Sequence, residues 1–293
     1  LRGQNFPIAY KYGVFDVTKN VFIRFEEGDN RLLKAAPVRN QHTLVDDGFV
    51  RLPADTWRGA GVAVPVFSLR SEKSFGVGEF ADLKPLADWG KKVGLKLIQL
   101  LPINDTTATK TWQDSYPYAA ISAFALHPIY LNLAAVANTQ NKKLLKKLEP
   151  QRRRLNALEA VDYEAVMAAK LDFLKRIFPS QKAATFRTVE FKKFFVENEH
   201  WLAPYAAFCC LRDKFGTADF SRWPEHGKFD GDKIAALTQD NDEIAFHYFL
   251  QYHLHRQFKD ATAHIRAAGL VLKGDLAIGV ARHGADAWQS PEL

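Results

Sequence analysis

The sequence predicts an α/β protein in which a scaffold of parallel strands and helices is interrupted by a helical segment and preceded by part of an antiparallel β-sandwich. Three observations support this prediction. Strand-like runs separated by turn-forming residues fill positions 1–50, a strand–helix–strand pattern starts at position 61, and a largely helical stretch covers about 135–235. The 293 residues, of which 47% are hydrophobic and 25% charged, have the composition of a globular protein.

The first fifty residues alternate apolar runs with turns. The runs PIAYKYGVFDV, NVFIRFEEG and FVRL are rich in aromatic and β-branched residues, and the turn formers TKN, EGDN and DDG separate them. This pattern predicts antiparallel strands that are too few to close a sandwich by themselves. Residues 51–59 are predicted to form a linker, and residues 60–293 a second domain.

The second domain starts with a strand, a helix and another strand in direct succession. GVAVPVFSL predicts a strand, GVGEFADLKPLADWGKKVG an amphipathic helix that ends at Gly94, and LKLIQLLP a strand that ends at Pro102. Short connections of this kind indicate parallel strands, either in an open sheet or in a barrel. After a long amphipathic helix that ends at Gly269, LVLKGDLAIGV predicts a further buried strand.

Charge and cysteine content argue against several classes of protein. The net charge of +7 arises partly from NKKLLKKLEPQRRRL and EFKKFF, which we interpret as helices with solvated faces, so no nucleic-acid partner is predicted. The only cysteines, Cys209 and Cys210, are adjacent, which suits neither a zinc site nor a disulfide and predicts buried thiols in the cytoplasm. No apolar run is long enough to span a membrane.

Candidate functional residues follow the strands, because sites in parallel sheets and barrels lie at the carboxyl ends of strands. This rule selects Asp105, the loop 106–120 and Asp275, and four further residues are expected to crowd the strand end at Asp275, namely Arg282, His283, Asp286 and Trp288. The loop combines aromatic and polar side chains, at Trp112, Asp114, Ser115, Tyr116 and Tyr118. Flat apolar faces pack under sugar rings, and carboxylates accept paired hydroxyl hydrogen bonds, so the pattern indicates a carbohydrate site. The alternatives are a surface turn with locally packed aromatics and, for Asp275, a strand-end residue that caps a loop.

Other motifs are too incomplete to indicate a cofactor. His247, His253 and His255 lie on one predicted helix without the companion residues of a metal motif, so no metal site is predicted. SFGVGEF has two glycines but lacks the third glycine of a dinucleotide fingerprint, and a suitably placed ribose-binding acid is missing as well.

Several longer stretches, taken in order, resemble a known family. These stretches are PVFSLRSEKSFGVGEFADLKPLADWGKKVGLKLIQLLPIND, DSYPYAAISAFALHPIYL, FFVENEHWLAPYAAFCCLRDKFG, FHYFLQYHLHRQF and GDLAIGVARHGADAW. They resemble the 4-α-glucanotransferases, also called amylomaltases or disproportionating enzymes, from about residue 57 to the end. The form NDTTATKTWQDSYPY is similar to the branch of the family that carries starch-binding domains at its front.

The resemblance implies the N-terminal part of a (β/α)8 TIM barrel with a helical insertion, and a retaining transfer of glucosyl units without a cofactor. Tyr118 matches a tyrosine that contacts donor glucan, Asp114 and Ser115 match residues that shape its loop, and Asp275 matches an aspartate that binds sugar at the cleavage point. In the family, the nucleophile, the acid/base and the stabilising carboxylate lie in the part of the sequence that follows the position of residue 293. The resemblance therefore implies a fragment cut at both ends, which alone is inactive.

The first fifty residues resemble the back half of a starch-binding module, with glucan contacts expected at Lys11, Phe25 and Asn30. Phe25 stands where the module usually has a tryptophan. The expected partners are malto-oligosaccharides, starch or glycogen-like glucans, and glucose. Two alternatives remain open at this point: a glucan-binding protein without catalysis, and a related α-glucan hydrolase.

Overall fold

The computed structural model of the chain describes residues 5–36, 38, 43–52, 58–279 and 281–292. The chain divides into two compact units, Leu1–Arg58 and Gly59–Leu293. Within the predicted linker 51–59, residues 53–57 lie outside the described residues.

Four short strands form the first unit, namely β1 (Ile8–Tyr10), β2 (Gly13–Asp16), β3 (Val21–Phe25) and β4 (Arg31–Leu33). β1 pairs antiparallel with β4, and β2 pairs antiparallel with β3. The antiparallel pairing agrees with the sequence pattern, but β4 was not predicted. The predicted strand FVRL is wrong, because residues 49–52 form no strand. Instead Arg51 hydrogen-bonds through its backbone to the carboxylate of Glu26 and to the backbone of Glu27.

A charged pair lies at the centre of this first unit. Glu26 is buried and accepts hydrogen bonds from Arg31 Nε at 2.6 Å and Arg31 Nη2 at 2.7 Å. The backbone amides of Tyr12 and Arg51 donate to the same carboxylate. The hydrogen bonds from Arg31 hold the pKa of Glu26 well below its usual range. The strands of this unit therefore surround an ion pair, while apolar side chains such as Phe25 remain exposed.

The second unit contains a parallel sheet of three strands, β5 (Gly61–Val64), β6 (Leu97–Leu100) and β7 (Val271–Lys273), in the order β5-β6-β7. The predicted parallel pairing is confirmed. The prediction that the last strand continues through Asp275 is wrong, because β7 ends at Lys273. In the described part of the chain β7 pairs with β6 alone, and the apolar residues that follow, Leu276 and Ile278, are 80% and 92% exposed.

Helices make up most of the second unit: α1 (Leu83–Lys92), α2 (Leu133–Val136), α3 (Lys142–Lys147), α4 (Glu149–Asn156), α5 (Tyr163–Phe186), α6 (Val189–Phe215), α7 (Gly231–Thr238), α8 (Asp242–Ala267) and α9 (Ala285–Gln289). One apolar core packs the sheet against α1, α5 and α8, and a second lies between α6, α8 and α9. As predicted, Cys209 and Cys210 are buried free thiols on a helix, and the basic clusters are helical.

The glycines of SFGVGEF serve close packing. A Cβ on Gly78 would lie 1.9 Å from the carbonyl oxygen of Val66, so no larger residue fits there without moving the backbone. Gly76 has a φ of +75°, in the left-handed region that favours glycine. The motif therefore has a steric explanation that needs no bound phosphate.

A buried ion pair joins α5 to the segment before α1. Lys170 Nζ lies 2.5 Å from Glu79 Oε1, and both side chains are 1% exposed. Lys170 also donates to the carbonyl oxygens of Ile129 and Leu131, and Asn132 Nδ2 donates to Glu79 Oε2 at 2.6 Å. Because every charged atom here has partners, this pair fixes the helical segment on the β/α scaffold.

Candidate functional site

The loop after β6 meets the end of β7 through one hydrogen bond. Tyr118 donates its hydroxyl to Asp275 Oδ2 at 2.8 Å. β6 and β7 are parallel neighbours, so their carboxyl ends share one edge of the sheet, where ligands bind in such folds. The bond to Asp275 raises the pKa of Tyr118, so the phenol remains a neutral donor. Asp275 is half-buried, which leaves part of its carboxylate open to a ligand.

Asp114 shapes the loop that carries Tyr118. Its side chain is buried and accepts hydrogen bonds from the backbone amide and the hydroxyl of Thr109, each at 3.0 Å. The amide of Lys110 donates to the same carboxylate at 2.5 Å, and the hydroxyl of Thr106 donates to the Asp114 carbonyl oxygen. The carboxylate therefore forms its hydrogen bonds within the loop and fixes the loop backbone.

The exposed side of this loop offers aromatic and hydroxyl groups. Trp112 is 68% exposed and Tyr116 is 62% exposed, and Ser115 between them is exposed as well. The rings of Tyr116 and Tyr118 lie 5.7 Å apart. Trp112 borders a cavity of about 400 Å³ that Tyr163 also lines. The two tyrosines pack locally, whereas the indole of Trp112 and the side chain of Ser115 remain exposed.

Asp105 does not face solvent, which corrects the prediction that it contacts sugar. It is fully buried and accepts hydrogen bonds from the Tyr205 hydroxyl at 2.5 Å and from the hydroxyl of Thr107 at 2.8 Å. The backbone amide of Thr107 donates to the same carboxylate. A carboxylate enclosed in this way holds the end of β6 in place and is not exposed to solvent at the strand end.

Residues on α6 and α8 that were not identified from the sequence support the same strand end. Gln251 on α8 accepts a hydrogen bond from Leu126 N at 2.9 Å and donates one to Leu126 O at 2.8 Å. Its side-chain amide therefore satisfies both backbone groups of Leu126, as a paired strand would. Arg212 on α6 donates to the carbonyl and the hydroxyl of Thr107. Tyr205 and Arg212 are polar residues within a long apolar run of α6, and this is the signal that could have identified them.

Two of the residues after Asp275 pack against segments other than β7. The sequence suggested that Arg282, His283, Asp286 and Trp288 crowd the end of this strand. Trp288 instead fills the second apolar core, where it is 1% exposed and donates to the carbonyl of His226. Asp286 accepts from the backbone amide of Ala123 at 2.6 Å. Burial of the indole anchors this segment in the second core, and Asp286 joins it to Ala123.

Known proteins are similar to this chain over most of its length. A family model described as 4-alpha-glucanotransferase matches residues 64–293. The chain belongs to this family. A 4-alpha-glucanotransferase of Oryza sativa subsp. japonica is 43% identical over 300 residues, which cover 100% of this chain and 31% of the rice protein. A 4-alpha-glucanotransferase of Chlamydia muridarum is 30% identical over 88% of this chain and 46% of its own length.

Members of the family with solved structures share the fold. The amylomaltase from Streptococcus agalactiae in complex with acarbose superposes with a TM-score of 0.65 at 20% identity, over 81% of this chain and 47% of that structure. The amylomaltase from Corynebacterium glutamicum gives 0.60 at 24% identity, over 78% and 32%. The chain thus has the fold of part of an amylomaltase, and it spans about a third to a half of the length of the relatives it matches.

The three positions expected to contact starch lie at one end of the first unit. The register pairs Tyr10 with Arg31, so Lys11 and Asn30 follow that pair at the end of the β1–β4 ladder. Phe25 ends β3 opposite Gly13, which follows Lys11 closely in sequence. Phe25 is 61% exposed, and its ring lies 4.6 Å from that of Phe22. In this 4-alpha-glucanotransferase chain Phe25 therefore presents an exposed ring, and Lys11 and Asn30 lie next to the last pair of the β1–β4 ladder.

The described residues hold neither a cluster of metal ligands nor a membrane-spanning helix. No three His, Cys, Asp or Glu side chains come together there in the manner of a metal site. Among the helices of the described ranges, none has the length and apolar character needed to cross a membrane.

Proposed function

We propose that the complete protein is a 4-α-glucanotransferase that moves α-1,4-glucosyl segments from malto-oligosaccharides or glucans to glucose or another glycan by a retaining double displacement. The hydrogen bond from Tyr118 to Asp275 is the observation that carries this proposal. It joins the two positions at which the family resemblance expects donor glucan to bind. Membership of the 4-alpha-glucanotransferase family over residues 64–293 supports the reaction type.

Each site residue of this chain has a role in holding the donor. Asp275 accepts hydrogen bonds from sugar hydroxyls, and Tyr118 orients that carboxylate. The exposed indole of Trp112 packs against a sugar ring, and Ser115 offers a hydroxyl beside it. Asp114 acts indirectly, because its hydrogen bonds fix the loop.

The reacting carboxylates belong to the part of the family sequence that follows residue 293. In a retaining enzyme the nucleophile and the acid/base lie about 5–5.5 Å apart. Transfer to a sugar instead of water requires a site that excludes water after the donor has bound. We therefore assign this chain the donor-binding half of the site, and we expect it to show no transfer by itself.

The remaining parts of the proposal concern location and partners. The first unit is proposed to be a starch-binding module that uses Lys11, Phe25 and Asn30, and the second to be part of a TIM barrel. The buried free thiols Cys209 and Cys210 suit the cytoplasm, where we place the protein. Malto-oligosaccharides, starch or glycogen-like glucans and glucose are its partners, and we propose no cofactor, nucleic acid or membrane.

Product analysis of the complete protein with maltotriose tests this function. Glucose and longer oligomers that rise together, without a net increase in reducing ends, are the expected result. A steady rise in reducing ends would identify a hydrolase instead. Saturable retention of glucan without any new product would identify a glucan-binding protein.

A further inference from the structure

A second cavity lies between helices of the second unit, and neither Tyr118 nor Asp275 lines it. It has a volume of about 450 Å³, and its lining comes from α5, α6, α8 and the loop after β6. Sites for small organic ligands usually have volumes of about 300–1,000 Å³. The cavity is therefore large enough for a short saccharide.

The side chains around this cavity indicate a neutral ligand. Four basic and four acidic side chains line it, so their formal charges cancel and neither an anion nor a cation is favoured. Phe178 and Phe246 add apolar ring surface. His247 also lines the cavity, with its ring at right angles to that of Tyr205. Burial lowers the pKa of His247 to about 4, so its imidazole is neutral and provides one donor and one acceptor.

The combination of ring faces with closely spaced donors and acceptors is the chemistry that binds polyhydroxyl compounds. Carboxylates accept from hydroxyl pairs, and guanidinium and ammonium groups donate to hydroxyl oxygens. An excess of positive charge would select a phosphate, and an excess of negative charge would select an amine. The positive and negative side chains of this cavity balance, so neither ligand is selected. The ligand class that fits is a neutral sugar of one or two rings.

The polar residues of the cavity also hold the loop that leads to Tyr118. Arg212 Nη1 donates to Thr107 Oγ1 at 3.0 Å, and Lys110 Nζ pairs with Asp213 Oδ1 at 2.6 Å. The backbone amide of Lys110 in turn donates to Asp114 at 2.5 Å. A ligand that contacts Arg212, Asp213 or Lys110 therefore acts on the segment whose carboxylate fixes the donor loop.

We propose that this cavity is an effector site for a short neutral saccharide, and that its occupation stabilises residues 105–118 in the arrangement that binds donor glucan. The ligand class is argued from the cavity alone, while the consequence for donor binding rests on the proposed function. Because coupling between two sites is reciprocal, donor glucan tightens binding in the cavity by the same factor.

Hydrogen exchange of the complete protein tests the proposal without relying on turnover. The probe is glucose, and the protein carries Asp275→Asn to weaken the donor site. Glucose is expected to slow exchange in peptides covering residues 105–118 several-fold. Leu171→Trp, which places a large ring in the cavity, and His247→Phe, which removes its donor and acceptor, should each abolish this protection. Val196→Trp, on the exposed side of α6, is the matched control and should retain it.

The outcomes separate the two proposals. Protection that survives both Leu171→Trp and His247→Phe in folded protein overturns the effector site. Equal protection by glycerol at the same concentration overturns the assignment to saccharides. Absence of glucose protection in every variant, combined with normal transfer by the wild-type protein on maltotriose, overturns the effector site and leaves the proposed function standing. If protection follows the expected pattern across the variants but the wild-type protein performs no transfer on maltotriose, the result supports the effector site and contradicts the proposed function.

Discussion

The hydroxyl of Tyr118 donates a 2.8 Å hydrogen bond to the carboxylate of Asp275, 157 positions further along the chain. The register of β6 and β7 brings the two residues together, because both follow parallel neighbouring strands at their carboxyl ends. The carboxylate is therefore oriented before any ligand arrives. A group that is already in place loses little freedom on binding, and this increases affinity.

The first prediction concerns this bond. We expect Tyr118→Phe in the complete protein to weaken kcat/KM for maltotriose roughly 10-fold or more, because hydrogen bonds to charged groups contribute about 1.5–3 kcal/mol. Asp275→Asn should have a larger effect, since it removes the negative charge of the carboxylate that we propose accepts hydrogen bonds from sugar hydroxyls. Steady-state kinetics on maltotriose provide the measurement. Gln113→Ala, in the same loop but exposed, is the control; an equal loss there would indicate general damage to the loop.

The sequence could predict this pair because each residue has a local signal. Tyr118 lies in an aromatic loop after a strand, and Asp275 follows an apolar run and a glycine. The register that joins them follows from parallel pairing. The partners of Tyr205 and Gln251 could not be predicted in this way, because helix packing and not strand register brings them to Asp105 and Leu126.

The errors at Asp105 and Trp288 have a common physical origin. Both residues follow or flank a predicted strand end, and the local pattern does not show that helices from the inserted segment cover them. Asp105 is enclosed by Tyr205 of α6, and Trp288 packs with Phe208 of the same helix. Packing between distant helices decides burial here, and the local pattern does not contain it.

The second prediction assigns Asp105 a structural role. We expect Asp105→Ala to lower the melting temperature of the complete protein by several degrees, because the hydroxyls of Tyr205 and Thr107 lose a buried acceptor, at a cost of about 1–3 kcal/mol each. Adding Tyr205→Phe to Asp105→Ala should restore part of the loss, since that change removes one orphaned donor. The exposed Asp172→Ala is the control. Unchanged stability together with weaker sugar binding would argue for direct contact instead.

The third prediction concerns the buried pair of Lys170 and Glu79. Lys170→Met leaves the buried carboxyl of Glu79 without its cationic partner, and breaking a buried pair in this way costs about 3–5 kcal/mol. The double variant Lys170→Met with Glu79→Gln should be more stable than Lys170→Met alone. Thermal unfolding provides the comparison, with Lys193→Met on the surface as control. Additive losses in the double variant would show that the two charges are not coupled.

The fourth prediction tests the proposed starch-binding module. We expect Phe25→Ala to weaken retention of the complete protein on insoluble starch roughly 5-fold, since an exposed ring stacked on sugar contributes about 1 kcal/mol. Phe25→Trp should strengthen retention, because it presents a larger face. Phe15→Ala removes another exposed ring of the same unit, outside the expected contacts, and should leave retention unchanged. Equal losses for both alanine variants would assign the effect to folding of the unit.

The fifth prediction concerns acid stability. Burial lowers the pKa of His253 to about 3, far below the value of about 6.5 for an exposed histidine. The unfolded chain therefore takes up a proton below about pH 6.5, while the folded chain leaves His253 neutral. The unfolded state binds more protons in this range, so stability falls as the pH decreases from about 6.5 towards 3.

His253→Phe should remove part of this acid sensitivity. The Nε2 atom of His253 is enclosed without a hydrogen-bond partner among the described residues, so an apolar ring of similar shape sacrifices no bond there. Between pH 6.5 and 5 the proton-linked loss amounts to about 2 kcal/mol, at about 1.4 kcal/mol per pH unit. Melting temperatures at pH 7.5 and 5.0 should therefore differ less in His253→Phe than in the wild type. The exposed His200→Gln should behave like the wild type, and identical pH dependence in all three proteins would show that His253 is not the linked group.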